Sequence, residues 1–311
     1  MAFRRTVATI AVLLVVAMSG VLDAQFGRGG PPYTPEPGAR DLKAVLFNWT
    51  WHMGMLRGMT EPEIVAMLEY QAEGTVQVDG QPCTLTKYRV STNYQTPGQR
   101  TQIDCARPNG QTYSSIETVS GEYAWDEDIP GAEIVPGEGT ATPRPAALHE
   151  RLIRLWASPQ GAPKAAIAGA AGLPLSETFA QNPAVLLDRA RPAGGGAATT
   201  VSWETGQPVV TYPIPGVPGA TATATLDAGF LAERVVVRHG SDTTEFVYGD
   251  YADWNNPLNK IEALYAGTIV ERRNGVVVRD LRTVVTETGQ VYVVVPVPDS
   301  VRKAAAGAAG N

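Results

Sequence analysis

The sequence is poor in the residues that most often carry chemistry. Its 311 residues include two cysteines and three histidines. His52, His149 and His239 lie far apart along the chain, so a zinc centre needs long-range assembly. No Gly-x-Ser-x-Gly, His-Glu-x-x-His, P-loop or Gly-x-Gly-x-x-Gly stretch occurs. The glycine runs GRGG and AGGGA lack a following helix start and read as linkers. Surplus positive charge is missing as well: the net charge is −6, which argues against nucleic acid or an anionic membrane surface as partner. Charged residues make up only 18%, against 44% hydrophobic ones, so disorder is excluded over most of the length. Long apolar runs are absent too. The stretch Val7–Ala17 falls short of the roughly 20 residues a membrane span needs.

What is present first is an address. Arg4 and Arg5, the short apolar run and a small residue at its end predict a secretory signal peptide over 1–24, cut near Ala24. The expected localisation is therefore export, periplasmic or extracellular, with no membrane span in the mature chain. Residues 25–39 are rich in Gly and Pro and read as a linker, and 301–311 as a flexible tail. In an exported protein the two cysteines, Cys83 and Cys105, are candidates for a disulfide. If strands run over 83–90 and 98–105, the two face each other across a hairpin. A tight turn centred on Pro97-Gly98 would instead forbid the bond and leave two thiols.

The body of the chain, 40–300, reads as a single β-rich domain. Asp41–Arg57 is a helix whose apolar residues overrun one face: Leu42, Val45, Leu46, Trp49, Met53 and Leu56 form one stripe, Ala44, Phe47, Trp51 and Met55 a second. Such a segment must be enclosed on several sides, whether by the protein, a partner or an apolar ligand. Strict alternation from Ile64 to Val78 then marks a strand and overrides the capping-box look-alike Thr60–Glu63. Further strands are expected at 84–92, 99–106, 112–119 and 121–125. A helical insert at about 144–190 follows, with helices around Leu148–Trp156, over 163–171 and over 183–190. Eight more strands fill 199–295, with turns at Asn109-Gly110 and Asn274-Gly275. Short connections leave one strongly curved, mostly antiparallel sheet of about 11–12 strands, a half-open barrel of α+β class, with the helices over its concave face.

This order of elements resembles the periplasmic lipoprotein-carrier (LolA/LolB-like) fold. Residues 245–288, with Tyr248-Gly-Asp250-Tyr251 ahead of a strand–turn–strand, are similar to the ending of exported relatives of that group. The resemblance implies a non-catalytic binding protein that holds a lipid or a lipoprotein acyl chain on the concave face. Leu46, Trp49, Trp51, Met53, Met55, Leu152 and Trp156 are the candidate ligand-binding residues, with 40–57 as plug and 144–171 as lid. No cofactor and no metal are expected. The expected partners are an apolar small molecule or a lipidated protein, together with an envelope protein. Two rival readings stand beside it: a structural or protein–protein interaction module of the envelope, and a secreted hydrolase motivated by acid-rich loops. Asp126, Glu127, Asp128 and Glu133, and likewise Asp250, Asp253, Asn255 and Asn256, supply the oxygen ligands Ca²⁺ favours. Neither group has EF-hand spacing, and both read better as solvated turns. Asn48-Trp49-Thr50 is a glycosylation sequon discounted by its place inside a helix.

Overall fold

The computed structural model describes residues 33–56, 65–172 and 198–309. The chain divides into units 1–36 and 37–311, and the second holds the elements that follow. The expected signal peptide, the first part of the linker, the Thr60–Glu63 motif and the helix expected over 183–190 lie outside the described residues.

Among the described residues thirteen strands form one sheet. They are β1 (Met67–Val78), β2 (Gln81–Asn93), β3 (Gly98–Ala106), β4 (Thr112–Ser120), β5 (Tyr123–Glu127), β6 (Ala141–Pro143), β7 (Thr200–Glu204), β8 (Gln207–Pro213), β9 (Thr221–Leu226), β10 (Ala232–His239), β11 (Asp242–Gly249), β12 (Thr268–Arg273) and β13 (Val276–Thr288). Their order is β6-β5-β4-β3-β2-β1-β13-β12-β11-β10-β9-β8-β7, antiparallel throughout and not closed. Two meanders, β1–β6 and β7–β13, are thus joined where the first strand pairs with the last. That seam needs a glycine. Gly74 has φ +131°, and a Cβ there would stand 2.1 Å from the Asp280 carbonyl oxygen.

The strand order dictates where the helices go. The chain leaves the sheet at one edge, β6, and re-enters at the opposite edge, β7, so the insert between them must cross the sheet. It does so through a 3-10 turn, α2 (Leu148–Ala157) and α3 (Gly161–Ala171), which lie with α1 (Leu42–His52) against the concave side. The alternation read from Ile64 to Val78 serves this packing. Leu68, Ala72, Val76 and Val78 are buried in the main core while Gln71, Glu73, Thr75 and Gln77 face solvent. The turn signals also hold: Asn274 and Gly275 both take positive φ, +47° and +84°, between β12 and β13.

Four elements differ from expectation, the first being β6, an edge strand that was not expected. Helix α1, capped by Asp41 accepting from Ala44 N at 3.1 Å, stops at His52 rather than Arg57. Gly54 turns the chain with φ +78°, and Leu264 N donates to Met53 O at 3.1 Å, so the 250–267 segment occupies the line of a longer helix. Residues 290–295 pair with no strand; Val293 and Val295 instead pack against Trp125, and prolines at 296 and 298 keep the stretch extended. The expected tail is helical as α4 (Asp299–Ala309), where Asp299 favours the first turn and Val301 joins the small core of Trp125, Ala141, Val293 and Val295.

Cys83 and Cys105 form a disulfide, Cα atoms 5.6 Å apart. The hairpin turn covers 94–97, which places Cys105 opposite Leu85, and an irregularity after Leu85 brings Cys83 within reach. The turn is neither the tight one at Pro97-Gly98 nor the longer loop that strands ending at 90 and starting at 98 would leave; it takes four residues.

Candidate functional site

The concave face of the sheet and its helical cover enclose most of the main core. Of the candidate binding residues, Leu46, Trp49 and Met53 of the α1 region, Met55 just beyond it, and Leu152 and Trp156 on α2 are all buried in this core. Trp51 is not among them. It is 46% exposed and stacks on Phe47, centroids 5.9 Å apart. The overloaded helix is therefore enclosed by its own protein on every face except the one carrying Trp51 and His52. His52 lies against Phe230, ring centroids 5.9 Å apart.

A ring of tyrosines, not foreseen in the sequence, lines the sheet beneath the cover. Tyr70 packs against Tyr88 and Tyr265 at 6.0 and 5.0 Å between centroids. Burial raises the phenol pKa values of Tyr70, Tyr248 and Tyr265 well above the ordinary range, so all three stay protonated donors. Two hydroxyls hold the end of α2: Tyr248 donates to Ala157 O at 2.6 Å and Tyr212 to Trp156 O at 3.4 Å. Both carbonyls belong to the last turn of the helix, where no intrahelical donor remains. Tyr94 Oη lies 3.3 Å from Ser158 Oγ just beyond. Helix α3 approaches more closely than any bulky helix can. A Cβ on Gly169 would meet Thr199 Oγ1 at 2.5 Å and Pro213 Cδ at 2.8 Å. Lys164 of the same helix is buried, its Nζ 5.0 Å from the Tyr94 ring centre, and desolvation lowers its pKa well below normal.

Toward one end of the face the lining turns ionic. Glu271 on β12 accepts from Arg279 at 2.8 Å and from both Nε and Nη2 of Arg273 at 3.0 Å. Arg154 of α2 lies 3.4 Å from Glu271, donates to Glu117 on β4 at 3.0 Å, and pairs with Glu150 one turn back on its helix. Arg273 closes the circuit to Glu150 at 2.5 Å. Burial alone would raise the acids, yet the guanidinium groups outweigh it: Arg279 and Arg154 hold Glu271 at about 2, and Arg154 with Arg273 holds Glu150 at about 2. Of this network only the Glu150–Arg154 pair could be read from helical spacing. The rest joins three strands and a helix.

Between the ionic group and the tyrosines lies a cavity of ≈ 30 Å³, measured to water centres, walled by Leu68, Tyr88, Arg154, Tyr265, Glu271 and Arg279 among others. That is room for a water or two. A small-molecule site takes about 300–1,000 Å³. Among the described residues this part of the concave face is filled by its own side chains, and a recess of ≈ 210 Å³ opens at the ionic end beside Val76, Ile103, Glu117 and Arg279.

The two acid-rich loops are spoken for. Asp126 pairs with Arg144 and Arg151 at 2.5 Å each, Glu127 with Arg100 at 2.8 Å, Asp128 accepts from Thr140 N and Glu133 from Ala141 N. Asn255 Oδ1 accepts from Thr288 N, and Asp253 accepts from Asn255 N, so these residues fasten the 250–267 segment to β13. Among the described residues no three His, Cys, Asp or Glu side chains are placed to hold a metal.

No family model and no curated protein matches the chain. The solved structures it is similar to include the two that follow. One is a domain described as an outer membrane lipoprotein-sorting protein from Vibrio parahaemolyticus, at 10% identity and TM-score 0.39, covering 80% of this chain and 93% of that one. The other is a LolA superfamily protein from Nitrosomonas europaea, at 11% identity and TM-score 0.37, covering 85% of this chain and 97% of that one. At that degree of overlap neither bears on what this chain binds.

Proposed function

We propose that the protein is an exported, non-catalytic binding protein for an apolar ligand, a lipid or the acyl chain of a lipoprotein. In the structure described, the helices lie over the concave lining of the sheet. The observation that carries this reading is the make-up of the core. It lies between one open sheet and a layer of helices that the chain strings from edge to edge, so its apolar lining can be uncovered without breaking a strand pair. Helix α3 presents mostly alanine to that lining, and α2 is held at its end by tyrosine hydroxyls rather than by interlocked side chains alone. Displacing this layer would expose Leu68, Tyr70, Val90, Ile269 and Leu281 to a ligand, with burial contributing about 25 cal/mol per Å². The disulfide supports export, because such bonds persist in oxidising compartments. Among the described residues no helix is long and apolar enough to cross a membrane.

The test is lipid content and uptake. Purified protein should carry lipid detectable by mass spectrometry after organic extraction, or take up a fluorescent fatty acyl probe with saturation. Absence of both endogenous lipid and saturable uptake would overturn the proposal. Trp51 shielded from a fluorescence quencher on mixing with envelope extract would then favour an interaction module.

A further inference from the structure

The fold brings together two of the chain's histidines that the sequence keeps 90 positions apart. His149 opens the first turn of α2, and His239 is the last residue of β10. Because α2 crosses the concave side beside the β10–β11 hairpin, the two imidazoles meet with ring centroids 5.1 Å apart and planes at 86°. They line a surface recess with ≈ 360 Å³ open to water, shared with Glu150, Asp242, Arg273 and Asn274.

We propose that His149 and His239 form a two-imidazole site for a divalent transition-metal ion of the Zn²⁺ or Ni²⁺ type. The separation is the first argument. With metal–nitrogen bonds of about 2.0–2.1 Å and about 1.1 Å from nitrogen to ring centre, two imidazoles on one tetrahedral ion keep their centroids about 5 Å apart. The second is access. His149 is exposed and His239 half-buried, so the recess admits a hydrated ion and the rings are free to turn a nitrogen toward it. The third is local charge. Arg273 is the cation in the recess, and it is engaged by Glu150 at 2.5 Å and Glu271 at 3.0 Å. Asp242, paired with His239 in the hairpin register, adds a carboxylate to the same wall and uses one oxygen to accept from Asn274 Nδ2 at 3.1 Å. Since no third protein ligand joins among the described residues, water fills the remaining positions. An ion so placed ties the start of α2 to the sheet, independently of whether that helix covers a ligand.

The experiment is calorimetric titration of the tag-free chain with ZnCl₂ and NiCl₂, backed by imidazole ring resonances in proton–nitrogen spectra. One ion per chain is expected, with affinity falling at least about tenfold in His149→Ala and equally in His239→Ala, a loss within the range that disturbing even an outer-shell partner produces. His52→Ala, which alters the histidine on Phe230, should bind as the parent does. The two imidazole resonances should shift together on titration. Circular dichroism checks that each variant keeps its fold. Absence of binding up to about 1 mM metal, or undiminished binding in the His149→Ala/His239→Ala double variant, would overturn the proposal.

Discussion

Tyr248 on β11 donates its hydroxyl to the carbonyl of Ala157, 2.6 Å away, and so fixes the end of α2 to the floor of the sheet. The carbonyl is buried and lies at a helix end, where the alternative to this donor is no donor at all. Tyr248→Phe removes only that oxygen. It is expected to cost about 1–3 kcal/mol in urea unfolding. If α2 is a movable cover, the same variant should take up acyl probe faster than the parent; equal stability with slower uptake would contradict both statements.

The ionic network sets the acid limit of the fold. Glu150 and Glu271 titrate at about 2 in the folded protein, against 4.5 for an ordinary glutamate. A carboxyl whose folded pKa is lowered binds its proton more readily when unfolded. Its contribution is therefore complete above pH 4.5 and is withdrawn as the pH falls toward 2. Thermal unfolding followed from pH 6 to pH 2 should show the melting temperature dropping most steeply in that lower window, and Glu271→Gln should flatten the drop.

Glu271→Gln should also be costly at neutral pH. It leaves Arg279, buried beside it, and Arg273 without their shared carboxylate. Removing one partner of a buried ion pair costs about 3–5 kcal/mol. Denaturant melts of Glu271→Gln beside Arg282→Gln, whose pair with Glu73 is solvent-exposed, separate the buried effect from a general charge effect. The exposed change is expected to cost about 0–1 kcal/mol.

Gly169→Val probes the closeness of α3. Even the first side-chain carbon collides with Thr199 Oγ1 and Pro213 Cδ, and valine adds two methyl groups. The expected loss is about 1–3 kcal/mol, the usual scale for overpacking. Amide exchange should rise over residues 161–171 more than over β1 and β13; uniform protection would show that the contact tolerates the bulk.

Trp49 and Trp51 sit two residues apart and should behave oppositely. Trp49 is fully buried in the core, while Trp51 is about half open to solvent. Trp49→Ala is expected to cost about 3–5 kcal/mol and Trp51→Ala within about 0.5 kcal/mol, read by unfolding in guanidinium. Reduction of the Cys83–Cys105 bond should cost on the order of 3 kcal/mol by freeing the unfolded chain.

Much of this fold is written locally. Alternation from Leu68 to Val78, the Asn274-Gly275 turn and the apolar excess around Trp49 each depend on residues within one element, and period, turn chemistry and enclosure follow from them. The candidate residues on α1 and α2 were visible for the same reason, as apolar side chains beyond what one face can hide. Helix α4 was not, because alanine-rich sequence reads as a tail until Val301 finds Trp125 to pack on.

What the sequence alone determined, then, is most of the strands and the helices of the cover, and that the helices needed a lining to cover, since backbone period and apolar burial act over a few residues. Three things were decided only by tertiary structure. Tyr248 reaches Ala157, Glu271 gathers arginines from α2, β12 and β13, and His149 meets His239. Arg273 and Arg279 lie on the same hairpin as Glu271, whereas the contacts of Tyr248 with Ala157, Glu271 with Arg154 and His149 with His239 join groups far apart in sequence. Their meeting follows from the β1–β13 seam, which sends the insert from one sheet edge to the other, and no local pattern encodes that crossing.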